Sequence, residues 1–281
     1  MERQTTELIL NRKIHDQLLD KRYLPVDQTE RILITGADGS IGHALTDRLK
    51  EYHNITVLTT DIVGDHTYLD VTDFQNTFSV VNKFKPTIIV NIAGAKHAPL
   101  GEREIWKTLS INTIGTMNLV DSAPANCRLI LTSTCKANNP EVVYGASKLI
   151  AEKMALSAGG SVARFFNVVE TVGNVFEIWD EVPKSEPIKV ASDCERHFIS
   201  LEESVGLILY TFNAKPGRYM VNSPQRLYMS DIAERLHPQR EKVEIKPRTG
   251  DRLIELFKST AESVEPCLEN SVLKVYNVHD G

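Results

Sequence analysis

The stretch Arg31-Ile-Leu-Ile-Thr-Gly-Ala-Asp-Gly-Ser-Ile-Gly42 is the one on which the reading of the fold turns. Its first five residues make a short apolar strand, and residues 41–50 carry helical periodicity. Glycines at 36, 39 and 42 lie between the two. A sharp turn, close backbone approach to an anion and helix N–H groups aimed at that anion all require residues without a side chain here. A strand, a glycine-rich turn and a helix in this order read as a dinucleotide-binding unit. Gly36, Gly39, Ser40, Ile41 and Gly42 are the loop residues expected to meet the pyrophosphate.

Outward from this unit, strands and helices alternate. Strands are predicted at 55–59, 68–70, 87–93, 128–132 and 162–166, with helices at 73–83, 102–122 and 144–157. The strands are continuously apolar rather than alternating, as in a sheet covered on both faces. The expected architecture is therefore α/β, a doubly wound, Rossmann-like parallel sheet. After about Asn167 the alternation is less regular and prolines punctuate the chain. Three regions follow: an N-terminal helical extension (1–30), a dinucleotide-binding core (31–166) and a smaller mixed lobe for substrate, with remaining core elements (167–281). Residues 1–30 read as one amphipathic helix that breaks near Pro25.

Asp61 ends the second strand, where a carboxylate hydrogen-bonds adenosine ribose hydroxyls and repels a 2′-phosphate, so NAD is favoured over NADP. Asp70 follows the third strand as a candidate for the adenine amino group, and Ala93 follows the fourth at the cofactor site. Tyr144 and Lys148 are four residues apart on one helical face. An ammonium near the phenol stabilises the phenolate and lowers its pKa from about 10, fitting Tyr144 for proton exchange. Lys148 also suits the nicotinamide ribose. Thr134 offers a hydroxyl to the same substrate oxygen. Lys96 and His97 sit on the loop after the fourth strand, at the mouth where such sheets bind ligands. Asn112, within the long helix, reads as structural, bonding backbone near the site, and His197 as a packed histidine.

Across 281 residues the net charge is -5, with 42% hydrophobic and 25% charged residues. This balance argues against a nucleic acid held by bulk electrostatics and against binding at a membrane surface. Cys127, Cys135, Cys194 and Cys267 form no CxxC pair, and no histidine adds metal-ligand spacing. No metal, a reduced cytoplasmic setting and no transmembrane span are expected. The N-terminal helix and the 102–122 helix offer apolar faces on which a homo-oligomer is expected to pair.

These residues resemble extended short-chain dehydrogenases/reductases, and among them the UDP-N-acetylglucosamine 4,6-dehydratases of bacterial polysaccharide biosynthesis. The likeness runs from about Arg31 to about Leu256. Its segments are Thr35–Gly42, Asn91-Ile-Ala-Gly-Ala-Lys-His-Ala-Pro-Leu100, Asn112-Thr-Ile-Gly115, Ser133-Thr-Cys-Lys136, Tyr144–Lys148, Ala163-Arg-Phe-Phe-Asn-Val168, Glu195-Arg-His-Phe198 and Gly250-Asp-Arg252, and the Lys96-His-Ala-Pro-Leu100 run and the Ser133–Lys136 turn are more specific to this branch than the glycine loop. The resemblance implies a redox-neutral cycle on a UDP-sugar. Tyr144, with Thr134 and Lys148, would take the C4 hydroxyl proton as hydride leaves C4, and Lys136 would remove the C5 proton. It also implies that Asn167, Arg196 and Arg252 grip the nucleotide diphosphate, a task suited to the planar arginine fork. One position departs from the family, which has an aspartate where this chain has Cys135. A thiol of pKa near 8.5 is mostly protonated and can donate a proton, without copying carboxyl geometry. The alternatives are a 4- or 5-epimerase, a net dehydrogenase or reductase, and a non-catalytic dinucleotide-binding module.

Overall fold

Branched apolar residues in unbroken runs bury both faces of a strand. A computed structural model of the chain describes residues 1–19, 30–52, 55–223, 226–248 and 251–278. It begins with α1 (Arg3–Leu10), β1 (Arg31–Thr35), α2 (Ser40–Leu49), β2 (Thr56–Asp61), β3 (Thr67–Tyr68), α3 (Phe74–Phe84) and β4 (Ile88–Asn91). Then come α4 (Ala98–Gly101), α5 (Ile105–Leu109), α6 (Gly115–Ser122), β5 (Arg128–Thr134), α7 (Val143–Ser157) and β6 (Ser161–Phe165). The next stretch holds β7 (Asn167–Val168), α8 (Val175–Glu181), β8 (Ile188–Val190), β9 (Glu195–Arg196), β10 (Phe198–Ile199) and α9 (Leu201–Thr211). Last are β11 (Gly217–Val221), β12 (Leu227–Tyr228), α10 (Met229–Leu236), β13 (Lys242–Glu244), β14 (Glu262–Cys267) and β15 (Val272–Asn277).

The main sheet runs β14-β15-β11-β6-β5-β4-β1-β2-β3. Pairing is parallel from β3 through β11. Only the β11–β15 and β15–β14 pairs are antiparallel. Ile32 and Ile34 of β1 pack in one apolar layer with α9 residues Val205 and Ile208, while Leu33 packs in the other with Val81, Leu119 and Ala151. Two covered faces explain why the strand sequences do not alternate. The strand order reverses between β1 and β4, which opens a crevice at the carboxyl ends of the strands.

A third apolar cluster, with Phe176, Trp179, Ile188, Phe198, Leu227 and Ile232, organises the small sheets β7–β10, β8–β13 and β9–β12. Between α7 and the sheet edge lies a fully buried charged quartet. Glu152 of α7 binds Arg164 of β6 at 2.7 Å and Arg218 of β11 at 2.7 Å, and Arg164 binds Glu262 of β14 at 2.8 Å. Three strands and a helix are joined by charges that balance one another.

Two expectations need correction. The N-terminal segment is not one long helix: α1 ends at Asn11, whose φ of 52° is left-handed, and a 3₁₀ turn follows at Asp16–Leu19. The predicted break at Pro25 lies outside the described residues. The apolar face of α1 is also spent within the chain, because Ile9 and Leu10 are buried in the third cluster. Of the two packings open to this segment, on the core or on a second subunit, the structure shows Ile9 and Leu10 on the core. The predicted 102–122 helix is α5 and α6 joined by a π turn at Ser110–Ile114, where the backbone widens around Asn112.

The segment after α1 is anchored by Glu203, a fully buried carboxylate in the first turn of α9. Arg12 reaches it at 2.7 Å and the His15 backbone N–H donates to it at 3.0 Å. Ser200 and Glu203 also form a capping box at the start of α9. Burial pushes the Glu203 carboxyl up, but hydrogen bonds from His15 and Arg12 outweigh it and bring the value down to about 2. A depressed folded-state value stabilises above the unfolded value of about 4.5 and is lost as pH falls towards 2. Amide exchange across α1 should therefore accelerate through that window, reflecting a loss on the order of 3 kcal/mol. A Glu203→Gln variant should show fast exchange already at neutral pH.

Candidate active site

Gly36 turns the chain out of β1 with a φ of +69°. A Cβ there would lie 2.6 Å from the Ala93 nitrogen, so the loops after β1 and β4 touch backbone to backbone. At Gly42 a Cβ would meet the Ala37 Cα at 2.7 Å and would also strike the Gly36 carbonyl. Glycine is required at both positions. The α2 N-cap, Gly39, supplies no side-chain cap. The first α2 amides at Ser40 and Ile41 therefore remain available to an anion. Asp61 binds this loop to the end of β2: its carboxylate accepts from the Asp38 N–H at 3.0 Å and the Ile62 N–H at 2.7 Å. Asp70 caps a turn, accepting from the Thr72 N–H at 2.9 Å.

A cleft of about 480 Å³ runs from this loop across the switch point. Among the predicted residues, Gly36, Gly39, Ser40, Ile41, Asp61, Asp70, Ala93, Lys96, His97, Tyr144 and Lys148 line it. Gly42, Thr134, Cys135, Lys136, Asn167, Arg196 and Arg252 do not line it, and Gly42 packs beneath the turn. Lys96 crosses to the opposite wall, its Nζ donating to the Val172 carbonyl at 3.0 Å, and the Val172 N–H donates to Ser40 Oγ at 3.2 Å. His97 caps α4 beside Lys96, and burial together with Lys96 and Arg248 lowers its pKa.

The floor of the cleft is held by a buried polar relay. Thr35 Oγ1 donates to Asn91 Oδ1 at 2.8 Å, and Asn91 Nδ2 donates to Thr116 Oγ1 at 3.1 Å. Thr116 Oγ1 in turn donates to the Asn112 carbonyl at 2.8 Å. The Asn112 side chain then grips both neighbours. It accepts from the Ala95 N–H at 2.9 Å, and its Nδ2 donates to the Ala95 carbonyl at 3.1 Å and to Ser147 Oγ at 2.9 Å. The post-β4 loop and α7 are thereby fixed to each other, the structural role read for Asn112 from the sequence.

Lys148 is buried, and that burial lowers its pKa to about 8 against the pull of Glu152. Tyr144 corrects the sequence expectation. Burial raises its pKa, and the groups opposing that rise are Lys136 and the Thr134 hydroxyl, not Lys148.

Beyond Tyr144 lies a second cluster centred on a residue that motif reading passed over, Glu255. Its carboxylate is buried, 2.5 Å from Lys136 Nζ and 3.6 Å from Arg196 Nε. Asn167 Nδ2 donates to it at 2.6 Å, and the Cys135 thiol faces it at 3.8 Å. Burial would lift the Glu255 carboxyl, but Lys136 and Arg196 hold it below the ordinary range. Burial would lower Lys136, but Glu255 outweighs it and holds the ammonium above its ordinary value. Burial and then Glu255 push the Cys135 thiol up to about 12, so it stays protonated. Arg252 is buried three residues before Glu255, with its Nε 3.3 Å from Glu141. His197 packs between Phe166 and Phe257, with ring centroids 5.3 and 5.8 Å away, as a core histidine. The signal for Glu255 was its place three residues after the Gly250-Asp-Arg252 motif, but an isolated glutamate there has no spacing that announces chemistry.

The sheet order and the glycine turn are those of short-chain dehydrogenases/reductases, and a solved structure shares the fold. The UDP-glucose 4-epimerase of Thermus thermophilus, solved with NAD, superposes with a TM-score of 0.71 at 19% identity, covering 82% of this chain and 90% of that one. Within that class, the chain belongs to the polysaccharide biosynthesis protein family, whose model matches residues 51–276. A Methanocaldococcus jannaschii relative named as an uncharacterized membrane protein, MJ1061, is 29% identical over 80% of this chain and 79% of its own length. A Campylobacter jejuni relative named as UDP-N-acetylglucosamine 4,6-dehydratase (inverting) is 27% identical over 83% and 79%. Among the described residues of this chain, no helix is long and apolar enough to cross a membrane.

Replacing Asn112 by Ala strands the Ala95 N–H and carbonyl in the interior. Urea unfolding should show a loss of about 1–3 kcal/mol, and the α7 amides near Ser147 should lose exchange protection.

Proposed function

We propose that the protein is an NAD-dependent nucleotide-sugar 4,6-dehydratase, acting on UDP-N-acetylglucosamine or a close relative. The observation that carries this reading is the meeting of the glycine-loop cleft with Tyr144 and Lys148 at the carboxyl ends of the strands, with Lys136 acting on the Tyr144 phenol from beyond the cleft. The cleft fits a dinucleotide, because its turn tolerates no Cβ at Gly36 and leaves the Ser40 and Ile41 amides free for a pyrophosphate. Asp61 and Asp70 hold the adenosine end, and Asp61 selects NAD over NADP by repelling a 2′-phosphate. Ala93 and Lys148 hold the nicotinamide end. Bound NAD supplies a reversible hydride acceptor.

Tyr144 takes the proton of the C4 hydroxyl as C4 is oxidised, and Thr134 orients the same oxygen. The new 4-keto group acidifies the C5 hydrogen, which Lys136 removes; the C6 hydroxyl takes up that proton and leaves as water. Hydride then returns to C6 while C5 takes up a proton from solvent, matching the one that Tyr144 took from the C4 hydroxyl and releases. Arg196, Arg252 and Asn167, with Lys96 and His97 at the cleft mouth, bind the nucleotide sugar, the arginines through the diphosphate. The relative from Campylobacter jejuni, matched over most of both chains, supports this substrate class. Exposed Ile105, Trp106, Ile114 and Met117 support pairing of two copies along the α5–α6 face. A second reading, 4- or 5-epimerisation, draws on Cys135: its buried thiol supplies no carboxyl acid for the elimination.

A proton NMR time course with NAD and UDP-N-acetylglucosamine in deuterated buffer separates the two. A new C6 methyl signal with deuterium at C5 is expected, whereas a C4 or C5 epimer without that methyl favours the second reading. Tyr144→Phe should slow conversion at least about 100-fold while leaving NAD affinity within a few-fold.

A further inference from the structure

Helix α7 carries two buried charged side chains one turn apart on the same face, Lys148 and Glu152. Their surroundings differ. Lys148 lines the cleft, with its Nζ turned to the loop after β4, where a Cβ on Gly94 would lie 3.5 Å from it. Among the described residues, no side chain forms a hydrogen bond or close ion pair with that ammonium. Glu152 is fully engaged. Arg164 Nε donates to its Oε1 at 2.9 Å, and Arg164 Nη2 and Arg218 Nε both donate to its Oε2 at 2.7 Å. Behind the arginines, Glu262 of β14 accepts from Arg164 Nη1 at 2.8 Å and stands 3.6 Å from Arg218 Nη1. Two carboxylates and two guanidiniums sum to zero, and Glu152 is the member that shares a helix with Lys148.

We propose that Glu152 is a positioning residue for Lys148, and that Arg164, Arg218 and Glu262 meter how much of its charge the lysine feels. This inference rests on the reading of the cleft as a dinucleotide site in which Lys148 holds the nicotinamide ribose. A carboxylate one helical turn away is the nearest counter-charge that α7 itself offers the ammonium. Unshared, it would hold the proton on Lys148 firmly. Shared with two arginines, whose positive charges also act on the lysine through a weakly polar interior, it stabilises the ammonium only in part. Burial therefore prevails, and the Lys148 pKa falls to about 8. The other charged and titratable groups lining the cleft are Asp61, Asp70, Lys96, His97, Glu104, Lys107 and Tyr144, but the group that opposes burial at Lys148 is Glu152. Lys136 shows the contrast: paired directly with Glu255 at 2.5 Å, it keeps its proton. An ammonium left unpaired but close to a shared carboxylate changes charge near neutral pH while its position stays fixed.

Each member of the quartet moves Lys148 in a direction fixed by its sign. Loss of the Glu262 charge leaves the quartet net positive and lowers the Lys148 pKa further. Loss of the Arg218 charge leaves it net negative and raises the Lys148 pKa. Neither residue lines the cleft, so both act at a distance, through charge. A role confined to holding β6, β11 and β14 against α7 predicts no such opposition, because both substitutions weaken the same cluster.

The test uses the full-length protein carrying carbon-13 at the lysine Cε positions. The Lys148 signal is assigned with Lys148→Met and followed by NMR across the neutral and alkaline range. Wild type should titrate near 8. Glu262→Gln should move the midpoint down by about half a unit, and Arg218→Gln should move it up by about as much. Glu262→Asp, which keeps the charge, should stay near the wild-type midpoint. The two signs are independent, so either glutamine variant decides the question if the other does not fold. Midpoints that move in the same direction, or that move in neither variant, overturn the proposal. A second arm measures NAD affinity by calorimetry over the same pH range. The affinity should break at the Lys148 midpoint, and the break should follow that midpoint in both variants. A break that stays in place while the NMR midpoint moves, or wild-type protein that binds no NAD, refutes the cofactor role given to Lys148 instead, and the NMR arm then decides the quartet alone.

Discussion

The site depends above all on one buried asparagine. Asn112 binds the backbone of the loop after β4 at both its N–H and its carbonyl, and binds Ser147 on α7 with the same amide. Only a side chain carrying both donor and acceptor can do this from one position. Its backbone carbonyl continues through Thr116 and Asn91 to Thr35, the last residue before the glycine turn. The glycine turn, the post-β4 loop and α7 are therefore registered by hydrogen bonds, not by packing alone. The π turn at Ser110–Ile114 is the local deformation that accompanies this arrangement.

Electrostatics divide the site in two. On the cleft side, Lys148 is an isolated buried cation, and its lowered pKa reflects burial that Glu152 only partly offsets. Beyond Tyr144, Lys136 is fully paired with Glu255 and keeps its proton. Two lysines twelve residues apart in the chain thus occupy opposite electrostatic states, set by their neighbours rather than by their type. Tyr144 lies between them, and the polar groups that favour its phenolate come from the Lys136 side. The lysine of the four-residue spacing is thus not the cation that counts most for the phenol in this structure.

The doubly wound core was legible because its signals are local. Apolar strands, the glycine turn and the Tyr144–Lys148 spacing each declare themselves within a few residues. Pairing confirms the parallel sheet, with small boundary shifts such as β5 extending to Thr134. Residues brought together by long-range folding were harder to read. The Glu255–Lys136 contact spans more than a hundred residues, and no periodicity marks a lone glutamate. Burial of α1 depended on the irregular lobe whose small sheets the sequence left unassigned, so its apolar face could be read as packed on the core or on a second subunit until the lobe was seen. Asn11 and the π turn were invisible for a related reason: each is a single-residue backbone choice made by tertiary context.

The central claim is that one cleft oxidises a sugar at C4 and returns the same hydride to C6. UDP-N-acetylglucosamine carrying deuterium at C4, incubated with the protein and NAD, tests this by mass spectrometry and NMR of the product. The account predicts a 6-deoxy-4-keto product that keeps the deuterium, now on the C6 methyl group. Deuterium that stays at C4 of an unchanged or epimerised sugar, or that leaves the sugar with stoichiometric formation of reduced cofactor, would contradict it.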